Sequence, residues 1–350
     1  MRIAYVVAEG LDKEHGVSKK IYNQIKFWID EGNDVKLFYF SNKILNPMFR
    51  NLKVEIISYR NRIDFVLKKN DINSLLTWNP DIVYFRTYLF SRKFFKMLKE
   101  VTTIIEINTD DIAESKLNYP PLVRMYHMLT RELIFKNASG FVCVTKELEK
   151  KFSIYNKPTT TISNGINRPF LGKEFLKRDL DGRFKVVFLG SPNQKWHGLD
   201  KITWLAKKLP EVDFHIVGTI EIENPTSNLI QYGYLNEKDY LNILRQSDVA
   251  IGTMALHRKG MEEASPLKTR EYLKYGIPLI IGYTDTDLDG KELDFILQLP
   301  NENNNIIGNL SRIREFILNS RERKVTIKDI EQIFNDRKEK KRLQFLKTFI

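Results

Sequence analysis

Short apolar runs rich in β-branched residues alternate along this chain with amphipathic stretches of helical length, and the whole alternation occurs twice. A strand covered on both faces needs a continuous apolar run, and joining it to a parallel neighbour needs a crossover long enough for a helix. The pattern therefore predicts two α/β domains with parallel sheets. The first half offers strands over 3–7, 35–40, 54–58, 82–85, 103–107, 140–144 and 159–162, with helices over 18–31, 92–100 and 121–136. The second half restarts with strands over 185–190, 213–217, 230–232, 249–251 and 278–281, and helices over 198–208, 238–245 and 267–275. Between them, residues 163–182 are rich in turn formers, with Asn164-Gly165, Pro169 and Asp181-Gly182. At 350 residues the chain exceeds what one core supports, so we expect a first domain over 1–166, a second over 167–325 and a closing helix over 326–350.

Composition narrows the class. Hydrophobic residues at 42% and charged residues at 29% suit packed cores and exclude a disordered chain. No run approaches the roughly 20 apolar residues needed to span a bilayer, and the opening MRIAYVVAEG reads as a buried strand, so a cytosolic protein is expected. Cys143 is the only cysteine, which rules out an internal disulfide and a cysteine zinc site and suggests a small core residue. His15, His127, His215 and His257 lack metal-ligand spacing. The net charge is +12, and residues 1–166 carry 26 Lys and Arg against 18 Asp and Glu. No zinc-finger spacing, RNP string or basic zipper accompanies that charge, so nucleic acid is not the expected partner. Asp285-Thr-Asp287-Leu-Asp289-Gly290 opens like a calcium loop, but Ile296 stands where the bidentate glutamate is required, and the run is read as a loop.

The most informative segment is Glu263-Ala-Ser265-Pro266-Leu267-Lys268-Thr-Arg270-Glu271-Tyr-Leu-Lys-Tyr-Gly276-Ile-Pro278. Ser265 suits an N-cap, Pro266 the first helical position, and Gly276 with Pro278 a C-terminal stop. Such a helix begins at the C-terminal mouth of a parallel strand, where its N–H groups and dipole can hold a diphosphate. Glu263 precedes the helix and Glu271 lies about two turns along it, so carboxylates bracket the phosphate position and can accept from sugar hydroxyls at one end and ribose hydroxyls at the other. Two glutamates eight apart also occur on ordinary solvated helices; the flanking Ser-Pro and Gly-x-Pro signals separate this case from those.

This text resembles the donor helix of glycosyltransferase family 4, the E-x7-E retaining enzymes of GT-B fold. Ile162-Ser-Asn164-Gly165-Ile-Asn167 is similar to the family's domain-crossing segment, and Phe188-Leu-Gly190-Ser191 through Lys195-Trp196-His197-Gly198-Leu to the first strand, loop and helix of its donor domain. Asp213-Phe-His-Ile-Val-Gly218 and Tyr232-Gly233-Tyr234-Leu235 resemble strands flanking the nucleotide base. The resemblance covers most of residues 160–290 and implies two Rossmann-like domains facing across a cleft, with the final helix returning toward the first. It also implies a metal-independent enzyme without a cofactor, moving a sugar with retention from a nucleoside-diphosphate sugar to a hydroxyl of a glycan or lipid-linked glycan.

By the same resemblance, Glu271 holds the ribose, Glu263 the donor sugar, and the backbone from Ser265 through Pro266 and Leu267 to Lys268 faces the phosphates. Gly190, Gly218 and Tyr234 belong to the donor side, and Gly16, Val17 and Arg86 to the acceptor side. The cation for the leaving phosphate is Lys195, His197 or Lys268. The family often has an Arg early in this loop and a Lys before the glycine, where Ser191 and His197 stand here. It also often places a histidine near the donor sugar where this chain reads Glu106-Ile107-Asn108; an amide hydrogen-bonds but is no base, which leaves the departing phosphate to take the acceptor's proton. Trp196 is expected to pack. A GT-B-like nucleotide-sugar epimerase and a noncatalytic nucleotide-sugar-binding protein remain alternatives. The basic-aromatic stretch Phe90 to Lys99 and the tail Arg337 to Phe349 point to an anionic membrane surface, and a membrane-surface adaptor, which would not need the donor motifs, is a third alternative.

Overall fold

The structure, a computed structural model, describes residues 1–68, 70–86, 89–168, 179–192, 194–218, 222–323 and 325–350. Pro169 and the rest of 169–178, within the turn-rich stretch, lie outside the described residues. The chain divides into two compact units, Met1–Ser163 with Asp336–Ile350, and Asn164–Asn335.

The first unit is built on β1 (Arg2–Ala8), β2 (Asp34–Phe40), β3 (Lys53–Ile57), β4 (Ile82–Arg86), β5 (Thr103–Ile107), β6 (Gly140–Cys143) and β7 (Thr159–Thr161). All are parallel, in the order β3-β2-β1-β4-β5-β6-β7. Strand order reverses beside β1, and open sheets of this kind bind ligands at the carboxyl ends next to such a reversal. The Gly16–Asp30 helix follows β1; His15 caps it reciprocally with Ser18, which starts it two residues before the sequence expectation. Its apolar face carries Ile21, Ile25 and Trp28 onto Tyr5 and Tyr84. The last helix, Asn335–Lys347, adds Leu343 and Leu346 to this same core. Glu339 from that helix accepts from Trp28 Nε1 (2.9 Å) and Gln24 Nε2 (3.3 Å). Cys143 is buried, and burial pushes its thiol pKa up.

The second unit holds β8 (Phe184–Leu189), β9 (Val212–Val217), β10 (Leu229–Gly233), β11 (Val249–Ile251), β12 (Glu263–Ala264), β13 (Leu279–Ile281), β14 (Thr284–Asp285) and β15 (Ile296–Gln298). Six form a parallel sheet, β10-β9-β8-β11-β13-β15, and β12 pairs with β14 apart from it. The Leu199–Lys208 and Leu310–Leu318 helices bury Ile202, Leu205, Ile313 and Ile317 against it. The short pair β12–β14 and strand β15 were not expected from sequence, because two or three residues are too few to show a period.

One expectation needs correction here. Pro266, not Ser265, occupies the N-cap of the Leu267–Lys274 helix, with no side-chain cap. The Ser265 hydroxyl is instead engaged by Asn164 N and Arg270 Nη2, both at 2.9 Å. The stretch Phe90 to Lys99 is largely core: Phe94 and Met97 are buried, and Lys93 is buried in an ion pair with Asp71 (2.8 Å). Arg342 and Leu346 of the tail are buried as well. Among the described residues no helix is long and apolar enough to cross a membrane.

Candidate functional site

In the second unit Gly190 and Gly218 follow directly on the carboxyl ends of β8 and β9. Gly190 N donates to Val217 O (2.8 Å), and a Cβ on Gly218, which has φ +79°, would lie 2.4 Å from the Gly190 carbonyl oxygen. Both backbone conformation and space therefore demand glycine at 218. The next loop turns through the short helix Lys195–His197 into Gly198, also at positive φ and with a Cβ position 2.9 Å from Met254. Lys195 stands exposed on this turn, its carbonyl accepting from Arg258 (3.1 Å), while Trp196 lies beneath the Lys259 ammonium at 4.3 Å.

His197 packs against the Phe188 ring at 5.5 Å. Burial, with the nearby charges of Lys268 and Lys259, pushes its imidazole pKa down to about 2. It is neutral at physiological pH and brings no positive charge to a phosphate, which leaves the lysines as the cationic candidates.

Lys268 sits in the first turn of the Leu267–Lys274 helix. Its stem is partly exposed, but Nζ is buried 4.1 Å from the Phe188 ring centroid and has no hydrogen-bond partner among the described residues. Burial holds its pKa well below the usual lysine value. Three N–H donors withdrawn from water without an acceptor are costly, and an anion at the helix start would satisfy them together with the first-turn backbone N–H groups.

The carboxylates flank this point along the chain. Glu263, buried, lies in β12, which pairs in parallel with β14 through Glu263↔Thr284 and Ala264↔Asp285. Glu271 accepts from the Tyr240 hydroxyl at 2.8 Å. Tyr272 ties the same helix to the end of β8, its hydroxyl oxygen accepting from Leu189 N at 2.7 Å. Tyr234 lies just beyond β10, exposed.

A residue that sequence reasoning missed fixes the helix start. The Arg270 guanidinium, fully buried, bonds both oxygens of Asp285 (2.7 and 2.8 Å), Asp287 (3.0 Å), the Ser265 hydroxyl (2.9 Å) and the Asn164 carbonyl (2.9 Å). The acidic run at 285–287 thus supplies the counter-ions of an arginine. Among the described residues no group of three or more His, Cys, Asp or Glu is placed to hold a metal ion.

The first unit has its own cluster at the ends of β4 and β5. Glu106, fully buried, faces Lys20 Nζ (2.9 Å) and Arg86 Nη1 (2.5 Å), with Arg342 Nη2 at 3.8 Å. Burial alone would raise the Glu106 pKa; these three cations overcome it and hold the carboxyl far below its usual range. Burial also pushes Lys20 down to about 8 despite Glu106. Asn108 joins them, accepting from Lys20 Nζ (3.2 Å) and donating to Glu106 Oε2 (3.3 Å). Gly16 and Val17 open the helix that carries Lys20 one turn later. The signals for Lys20 and Glu106 were a lysine on the apolar face of its helix and a glutamate inside an all-apolar strand.

Two open depressions lie elsewhere, about 600 Å³ beside Phe49 and Ile56 and about 490 Å³ beside Asp285 and Leu288; neither is lined by Glu263, Lys268 or Glu271.

No protein-family model matches the chain, and no curated protein matches it in sequence. Solved structures do match in fold. A lipopolysaccharide outer core galactosyltransferase, WaaB, in its apo form is 13% identical with a TM-score of 0.71, each chain covered in full. Anabaena HepE, solved with UDP, is 10% identical with a TM-score of 0.66, covering 99% of this chain and 100% of its own. An α-glucosyltransferase in complex with UDP and DNA is 14% identical with a TM-score of 0.65, at 99% coverage of both. The chain has the GT-B fold of two Rossmann-like domains.

Proposed function

We propose that this protein is a metal-independent retaining glycosyltransferase that moves a sugar from a nucleoside-diphosphate sugar to a hydroxyl of a glycan or lipid-linked glycan. The observation that carries the reading is the buried, unpartnered Lys268 ammonium at the start of a helix flanked by Glu263 and Glu271. The galactosyltransferase and the α-glucosyltransferase among the similar folds, the latter solved with UDP, support the same class.

In this reading the bond between the anomeric carbon and the phosphate oxygen breaks while the acceptor oxygen bonds to that carbon, and the acceptor's proton passes to the departing phosphate. Negative charge grows on the diphosphate as it leaves. Lys268 and the helix N–H groups stabilise it where water is excluded. Glu271 holds the ribose, Glu263 the sugar hydroxyls, and Asn108, fixed by Lys20 and Glu106, is a hydrogen-bonding group of the first unit.

A thermal-shift panel of nucleotide-sugars identifies the donor, since a ligand at a hundred times its Kd adds about 2.7 kcal/mol. With that donor, Glu271→Ala is expected to weaken nucleotide binding about 10- to 100-fold by calorimetry. Glu263→Ala is expected to leave nucleotide affinity near wild type and to lower turnover of the intact donor. Unchanged kinetics in both variants would remove the site assignment. Activity is also expected to persist in excess EDTA; loss restored by manganese would contradict the metal-independent reading. Conversion of the nucleotide-sugar to its epimer without any acceptor present would favour the epimerase alternative.

A further inference from the structure

The chain's entire net charge lies on the first unit. Met1–Ser163 with Asp336–Ile350 holds 32 Lys and Arg against 20 Asp and Glu, whereas Asn164–Asn335 holds 24 of each. On this cationic unit the Pro121–Phe135 helix departs from the usual pattern of a surface helix, apolar inward and polar outward. Its inner face buries His127 and Arg131, which bond Asp111 at 2.8 and 2.6 Å. Its outer face presents Leu122 at 77% and Leu129 at 74% exposure, with Met125, Met128 and Leu133 each exposed by 42% or more. At 3.6 residues per turn, Leu122, Met125, Leu129 and Leu133 fall on one stripe along the whole helix. Isolated exposed apolar residues occur on every protein, but a contiguous set marks an interaction surface.

We infer that this helix docks on an anionic lipid bilayer surface. The stripe supplies side chains that enter the boundary between headgroups and acyl chains, and exposed Lys116, Arg124 and Lys136 stand before, beside and at the end of it. The adjoining Arg92–Glu100 helix, linked through Tyr126 Oη to the Phe90 carbonyl (2.9 Å), adds exposed Arg92 and Lys99. The excess of twelve positive charges on this unit complements anionic headgroups. A nucleic acid would match that charge but has no use for a leucine stripe, and a second copy of the unit would bring like charge against it.

The inference is independent of the transferase reading, because the test contains no nucleotide-sugar. The full chain is floated with vesicles of phosphatidylcholine, with and without phosphatidylglycerol, at low and high salt. It is expected to float with the anionic vesicles, less so at high salt, and a Leu122→Ser, Leu129→Ser double variant is expected to lose partitioning about tenfold or more. Both side chains lie outside the core, so an unchanged Tm accompanies that loss. Failure of the wild type to bind anionic vesicles at low salt would overturn the inference, as would a double variant that partitions like wild type. So would a variant whose defect appears instead as lost duplex DNA binding or as a dimer converted to monomer in sedimentation velocity.

Discussion

Lys268→Met is expected to raise stability while abolishing most of the activity. The wild-type ammonium is buried against Phe188 without a hydrogen-bond partner, so a methionine of similar length removes a desolvation penalty of about 1–3 kcal/mol. The same change removes the charge facing the departing diphosphate, and the loss of one such group costs about 10²- to 10³-fold in kcat. The sign with pH follows from the depressed pKa. A lysine whose folded pKa lies below its unfolded value destabilises the fold most where it must be charged, and the penalty fades as pH rises toward about 10.4. The stability gain of Lys268→Met should therefore be largest at the acidic end of the range and vanish near that pH. Chemical denaturation across pH, alongside kcat with the identified donor, checks both halves. A variant that is less stable than wild type but fully active would show a lysine serving the fold.

Asp285→Asn should be the most damaging single change to the fold of the second unit. It leaves the fully buried Arg270 guanidinium without its bidentate partner, and breaking a buried pair from one side costs about 3–5 kcal/mol. For a unit of this size that is a fall in Tm of about 10 °C. Because Arg270 also holds the Ser265 hydroxyl and the Asn164 carbonyl, nucleotide affinity should fall with it. Pairing Arg270→Met with Asp285→Leu should cost less than the two single changes combined, since neither member of the buried bidentate pair is left behind. Urea unfolding of wild type, Asp285→Asn, the two single changes and the double variant tests this, and a loss under about 1 kcal/mol in Asp285→Asn would show the clamp to be energetically idle.

The sheets were legible in the sequence because strands covered on both faces read as continuous apolar runs, and most strand ends differ from expectation by one residue. What stayed hidden depends on partners distant along the chain. Ser265 carries every local mark of an N-cap, yet its hydroxyl is taken by Asn164, 101 residues earlier, and by Arg270. Lys20 and Asn108 are 88 residues apart, so no spacing rule joins them. A helix over 121–136 was expected, but with Leu122, Leu129 and Leu133 outward and Ile134 and Phe135 inward its apolar residues do not declare which side faces the core. The basic-aromatic stretch at 90–99 reads as a charged surface because its lysines and arginine are dense in sequence, while Lys93 pairs with Asp71 inside the unit. The confinement of all net charge to one unit also emerges only when residues 336–350 are assigned to it.

That assignment reverses the order in which the two units can be completed on a ribosome. Domains usually fold as they emerge, amino end first. Here the first 163 residues emerge without the helix that carries Glu339, Leu343 and Leu346. Until it arrives, Trp28 Nε1 and Gln24 lack their acceptor and the face formed by Ile3, Tyr5 and Ile25 stays open. At about 5–20 residues per second that interval lasts on the order of ten seconds or more, during which Asn164–Asn335 can close. The unit made first is finished last, and its nascent form must be kept from aggregating while the other is built.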